Sequence, residues 1–264
     1  MAFVRIDGLV LHYRVRGRAD APVLALVNSL GTDARIWDGV IALLAPHYRI
    51  VSYDKRGHGL SDAPAGDYTI AQHADDLAGL LDHLGIAHCA LAGVSVGGLI
   101  AQDFAIRYSQ RLTALVLCDT AAQIGTDAMW NTRIAAVRGP GLASIVEPVM
   151  QRWFTPSYRH MQPVDLAGWR NMFLRMPAQG YAGTCAALRD ADLTQAVATI
   201  ITPTLVLVGD QDLSTPPDLV RATADRIPHA RFYTIAGAGH LPMIEQPEAL
   251  ASLLQQFFNE VGHG

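Results

Sequence analysis

With three cysteines in 264 residues, no run of basic side chains and no apolar stretch long enough to cross a bilayer, the chain is bounded first by what it lacks. Cys89, Cys118 and Cys185 are odd in number and have no metal-ligand spacing, so they read as reduced core thiols and not as a disulfide framework or a metal centre. A net charge of −4 without a basic patch argues against nucleic acid or an anionic membrane as partner. Met1 to Asp7 carry no charged start, continuous apolar stretch or small-residue cleavage site, so the expected location is cytoplasmic. Internal repeats and low-complexity tracts are also missing.

What is present is apolar material in short pieces. Half the residues are hydrophobic, enough for one large core. Strands are expected at Val10 to Val15, Val23 to Asn28, Arg49 to Tyr53, His88 to Ala92, Ala114 to Cys118, Thr204 to Val208 and Arg231 to Ile235. Several are uninterrupted apolar runs flanked by Pro, Gly or Asp, the pattern of parallel strands buried on both faces. Ile70, Ala74, Leu77, Leu81 and Leu84 mark one face of a helix that stops at Gly85. Strands and helices alternate to Asp119, stop alternating between 121 and 195, and resume at Thr204. The pattern predicts an α/β fold, a doubly wound, mostly parallel sheet formed by 1–120 and 196–264, with a helical lid inserted at 121–195 over the sheet edge where ligands bind.

Gly93-Val94-Ser95-Val96-Gly97 lies where the strand ending at Ala92 hands over to a helix predicted from Gly98 to Tyr108. The pentapeptide is short enough to arise by chance; its strand-turn-helix setting gives it meaning, because such a turn exposes a serine hydroxyl. A serine near neutral pH needs a base, and the base needs a carboxylate to orient it. Ten histidines compete. His240 is chosen because Gly237-Ala238-Gly239-His240 follows the last strand, against the plainer reading of a polar loop histidine. His58, within Arg56-Gly57-His58-Gly59, reads as structural. Asp212 follows the strand at Thr204 and gives the chain order Ser, Asp, His. Asp119 is the rival acid, and Asp210 is expected to bond loop backbone. The backbone N–H groups of Val96 and Leu30 are the expected oxyanion donors, each worth roughly 2.7 to 4 kcal/mol. Asn28 and Ser29 either position that loop or touch substrate.

Taken together, Ser95, Asp212 and His240, with Asp54-Lys55-Arg56-Gly57-His58-Gly59-Leu60-Ser61, resemble the α/β-hydrolase superfamily along nearly the whole chain. More narrowly, Asn28-Ser29-Leu30-Gly31-Thr32-Asp33, Gly97-Gly98-Leu99-Ile100-Ala101-Gln102, Ile124-Gly125-Thr126, Met129-Trp130, Arg133-Ile134 and Arg152-Trp153-Phe154-Thr155 resemble the 3-oxoadipate enol-lactonases. Val94 and Val96 depart from the Leu and Met expected beside that family's serine. Asn28-Ser29 replaces the His-Gly usual in the wider superfamily and belongs to the narrower resemblance.

The resemblance implies hydrolysis of an anionic enol-lactone to 3-oxoadipate in bacterial aromatic breakdown, through an acyl-enzyme and without metal or organic cofactor. An anion must then enter a chain of negative net charge. The lid carries seven arginines against five acidic residues, which makes it locally positive. Arg133 is the candidate clamp, with a solvated helix face as the alternative for it and for Arg138. Trp130 is placed beside the substrate, although with Trp153, Met150 and Met172 it is also natural lid packing. Two other readings share much of this pattern: a broad carboxylesterase or carbon-carbon bond hydrolase, and a small-ligand receptor that kept the fold without turnover. The sequence leaves the oligomeric state open.

Overall fold

The apolar runs become the middle of one eight-stranded sheet in the computed structural model, which describes residues 2–264. Its strands are β1 (Ala2–Ile6), β2 (Leu9–Gly17), β3 (Val23–Val27), β4 (Arg49–Tyr53), β5 (Cys89–Val94), β6 (Leu112–Cys118), β7 (Thr204–Gly209) and β8 (Arg231–Ile235). In space they run β1-β2-β4-β3-β5-β6-β7-β8, with β1 and β2 antiparallel to their neighbours and every later pair parallel. β5 and β7 are buried at every residue, which is why their sequences are unbroken hydrophobic runs.

β1 was not among the expected strands. Its residues alternate half-buried with exposed, placing Phe3 and Arg5 outward at the sheet edge, so no apolar run announces it. The signal that marks it is Asp7-Gly8, a two-residue hairpin turn with φ of +46° and +87° that pairs Ile6 with Leu9. The helix after Ser95 spans Val96–Arg107, two residues earlier than predicted, because it starts directly at the serine. The helix Ile70–His83 opens on a Thr69 and Gln72 capping box and is followed by Gly85 at φ +64°.

Between β6 and β7 lie five helices: Asp127–Arg138, Val146–Trp153, Pro156–Met161, Pro163–Leu174 and Ala178–Arg189. Thr126 and Thr155 cap two of them, and Pro156 and Pro163 open two. Ala178–Arg189 is buried at Gly180, Ala182, Gly183 and Ala186, and its Gly180 meets Gly57 of the core backbone to backbone. All three cysteines are buried and free, and burial pushes the Cys89 thiol up to about 12. Among the described residues no helix is long and apolar enough to cross a membrane.

The first turn of Val96–Arg107 sits hard against β3. A Cβ on Gly97 would stand 2.5 Å from the Val27 carbonyl oxygen and 2.8 Å from that of Asn28, both backbone atoms with no freedom to retreat. Gly97→Ala is therefore expected to lose about 1 to 3 kcal/mol of unfolding free energy by urea titration. Gly168, inside Pro163–Leu174 with nothing within 4 Å of a built Cβ, gives the opposite expectation: Gly168→Ala gains up to about 1 kcal/mol.

Candidate active site

Ser95 has φ +59° and ψ −122°, a backbone state that costs a non-glycine residue about 1 to 3 kcal/mol and persists only where its surroundings impose it. They do so here. The Ser95 N–H donates to the Cys118 carbonyl at 3.0 Å, and the Ser95 carbonyl accepts the Thr120 hydroxyl at 2.7 Å and the Leu99 N–H at 3.1 Å. Gly93 lies against the Gly97 carbonyl and Gly98 against the Thr120 side chain, approaches that any Cβ would block.

His240 arrives from the loop after β8. Its Nδ1 donates to Asp212 Oδ2 at 2.9 Å, which leaves Nε2 as the ring's acceptor nitrogen. Asp212 also accepts the Thr215 hydroxyl at 2.6 Å and the N–H groups of Ser214 and Thr215 at 2.7 and 3.1 Å. Burial alone would raise the Asp212 carboxyl; the charge and hydrogen bond of His240, with the Thr215 and Ser214 donors, outweigh it and hold the group below its ordinary value. Asp119, at the end of β6, makes no bond to the imidazole and accepts the Gly209 N–H at 2.9 Å instead. Asp210 accepts the N–H groups of Gly237 and Ala238 at 2.9 and 3.2 Å, fixing the loop that carries the histidine.

The loop after β3 is held from below. His58 Nδ1 donates to the Arg56 carbonyl at 3.1 Å, and its Nε2 accepts the Gly31 N–H at 3.1 Å. Burial, and next the neighbouring Lys55, hold the His58 ring well below the usual imidazole range, so it stays neutral as both bonds require. The Lys55 amine, fully buried, donates to the Ser29 carbonyl at 2.6 Å. These bonds leave the Leu30 N–H, like the Val96 N–H at the helix start, without an acceptor in the described chain. Asn28 is buried, its amide donates to the Thr32 carbonyl within the same loop, and it does not line the cavity.

A cavity of about 210 Å³ joins these parts. Ser29, Leu30, Ser95 and His240 line its floor, while Trp130, Arg133, Arg152 and Tyr181 of the helical insertion line its roof. Ser95 and His240 share its wall without a hydrogen bond between them among the described contacts, a bond that often tightens only with ligand present. Arg133 donates to the Tyr181 hydroxyl at 3.2 Å and lies 5.7 Å from the Trp130 ring centre. Trp130 is both packing and wall, since its indole N–H is spent on the Ile124 carbonyl at 2.6 Å. Arg138 points away and pairs with Asp67. No Asp or Glu lines the cavity. Arg152 and Tyr181 were not singled out from sequence. Arg152 had a signal in its Arg-Trp-Phe-Thr setting; Tyr181, in a Gly- and Ala-rich helix, had none.

The insertion is fastened to the loop of His240. The His240 N–H donates to the Trp153 carbonyl at 2.9 Å, and Glu245 accepts from the Gly239 N–H at 2.7 Å and from the Thr155 N–H and hydroxyl at 3.0 and 2.7 Å.

Comparison with known proteins places this geometry among relatives. A family model described as alpha/beta hydrolase fold matches residues 22–247. The chain is 36% identical to 3-oxoadipate enol-lactonase 2 of Acinetobacter baylyi, over 91% of this chain and 90% of that one. It superposes on the crystal structure of the enol-lactonase from Burkholderia xenovorans LB400 with a TM-score of 0.95 at 38% identity, covering 98% of this chain and 100% of that one. A thermophilic esterase from Thermogutta terrifontis, with malate bound, superposes at 0.94 with 33% identity and 99% coverage of both chains.

A phosphonate that traps activated serines is expected to label Ser95, and Asp212→Asn to slow labelling by roughly 10³- to 10⁴-fold, read by intact-mass spectrometry. Because the folded Asp212 lies below its unfolded value, the pair's contribution is present above the unfolded value. It is lost only as pH falls through the folded one.

Proposed function

The chain belongs to the alpha/beta hydrolase fold family, and from that premise we propose that it opens the ring of 3-oxoadipate enol-lactone to give 3-oxoadipate, in bacterial breakdown of aromatic compounds in the cytoplasm. The observation that carries the reading is a cavity with Ser95 and the Asp212-oriented His240 on its floor, two arginines in its roof and no lining carboxylate. Relatives named 3-oxoadipate enol-lactonases supply the substrate class.

The steps follow from the parts. Residues 121–195 act as a lid. As substrate enters, the Ser95 hydroxyl bonds to His240 Nε2 and gives up its proton while attacking the lactone carbonyl. The oxyanion is met by the Leu30 and Val96 N–H groups, which are fixed in advance and have no competing acceptor. Collapse breaks the ring C–O bond and His240 returns the proton to the departing enol oxygen. The enol remains attached through the acyl chain and tautomerises to a ketone, which discourages reclosure. His240 then takes a proton from water as its oxygen adds to the acyl carbon; collapse breaks the bond to the Ser95 oxygen, which takes that proton back from His240, and the second carboxylate is released.

Specificity rests on the roof. Arg133 spends one N–H on Tyr181 and keeps the rest for a ligand, and a carboxylate held that way contributes about 1.5 to 3 kcal/mol. Ser29 lines the wall near the same ligand. The Thermogutta esterase neighbour favours a second reading, a broad carboxylesterase with the same triad.

Spectrophotometric turnover of the enol-lactone against p-nitrophenyl acetate separates the two: a lactonase has the higher kcat/KM on the lactone, a generalist on the activated neutral ester. Ser95→Ala is expected to abolish both while the fold melts normally. Arg133→Ala is expected to raise KM for the lactone about 10- to 100-fold with little change for the ester, and equal effects on both would remove the clamp.

A further inference from the structure

Asp119 is a buried carboxyl that the mechanism above does not use. It follows β6 directly at φ +47°, a left-handed conformation uncommon outside glycine, and it is wholly buried. One oxygen accepts the Gly209 N–H at 2.9 Å; the other, Oδ2, is buried with no hydrogen-bond partner. An oxygen of Asp119, an oxygen of Asp212 and a ring nitrogen of His240 all lie within 4.8 Å of one another. Asp212 has four donors to keep it ionised, counting the imidazole, and Asp119 has one.

We propose that Asp119 carries a proton near neutral pH and faces Asp212 as a neutral acid, so that His240 feels one carboxylate instead of two. Two charges at that separation, away from water and with one oxygen unpartnered, are far costlier than one charge and one O–H. The proton sits on the member with fewer donors. Around Asp119 stand Cys118 on its own strand, Asp212 after β7, His240 after β8 and Glu245 in the helix Pro242–Glu245, with Arg159 beside Glu245. Burial first, and the charge of Asp212 next, push Asp119 well above the usual carboxylate range against the pull of the Gly209 N–H.

The consequence is functional. A second anion beside the ring would favour imidazolium and take the base out of service near neutral pH, whereas a neutral acid leaves His240 free to accept the Ser95 proton. Asp119 is thus a positioning residue that acts through Asp212. This rests on the reading of Asp212 and His240 as a serine hydrolase's acid and base, yet its test needs no turnover.

Infrared difference spectra of the intact protein near neutral pH are expected to show the carbonyl stretch of a protonated carboxylic acid that Asp119→Asn removes. In the same variant the His240 ring resonances near neutral pH stay in place, because a neutral group replaces a neutral group. An ionised Asp119 predicts no such band and His240 ring resonances that move in Asp119→Asn, and that result would overturn the proposal. Thermal melts give a further reading. A carboxyl protonated only in the folded state lowers stability as pH rises above its unfolded value, so Asp119→Asn should gain on the wild type with rising pH. A constant difference speaks for ionised Asp119. Should Asp119→Asn fail to fold, Asp119→Ser takes its place in the same spectra and melts. A wild type inert towards lactone and ester sinks the hydrolase reading and leaves these measurements intact.

Discussion

Ser95 holds its positive φ because several backbone approaches close around it at once. Gly97 touches the Val27 and Asn28 carbonyls, Gly93 touches Gly97, and Thr120 reaches across to the Ser95 carbonyl. Relaxing the serine to an ordinary conformation means separating the helix Val96–Arg107 from β3, or β5 from the end of β6. Each of those contacts belongs to the fully buried middle of the sheet, so the strain is opposed by a large part of the core. Sheet order adds the rest: β3, β5, β6, β7 and β8 are parallel, so the residues after their ends share one edge.

The segment from Asp54 to Ser61 supports that edge without joining the chemistry. Asp54 accepts the Ala34 N–H at 2.9 Å, the Leu60 N–H at 2.8 Å and the His12 ring at 2.8 Å, tying three stretches of chain to one carboxylate. Lys55 and His58 bond the Ser29 carbonyl and the Gly31 N–H, one on each side of Leu30. Burial drives both groups well down towards their neutral forms.

Much of this was legible because the chemistry sits on regular elements. The unbroken runs of β5 and β7 and the glycines at 93 and 97 leave few alternatives, and the geometry of His240 and Asp212 follows from the loops they occupy. β1 escaped because an edge strand with one outward face has no apolar run, although Asp7-Gly8 marked its turn. The roof of the cavity was harder. Tyr181 reaches it from a helix whose glycines and alanines are buried against the core and the neighbouring helix, and no periodicity tells which side of such a helix faces a ligand. Asn28 was read as either loop former or substrate contact, since an amide beside a strand end suits both; the Thr32 carbonyl, four residues on, takes it.

Glu245 explains how roof and floor keep their alignment. Burial raises its carboxyl, the Thr155 hydroxyl and the Gly239 and Thr155 N–H groups pull it back, and the result is one side chain bridging the helical insertion and the loop of His240. The Trp153 carbonyl adds a direct bond to the His240 N–H. The helix that brings Arg152 over the cavity is thereby tied to the loop of His240, while Arg133 is held by its bond to the Tyr181 hydroxyl. At that end the insertion cannot lift independently: separating Trp153 to Thr155 from the core would strip the His240 loop of two of its anchors. The Arg152 end of the roof and the His240 loop therefore keep one alignment. Within a chain of net charge −4, the cavity has two arginines in its lining and no carboxylate.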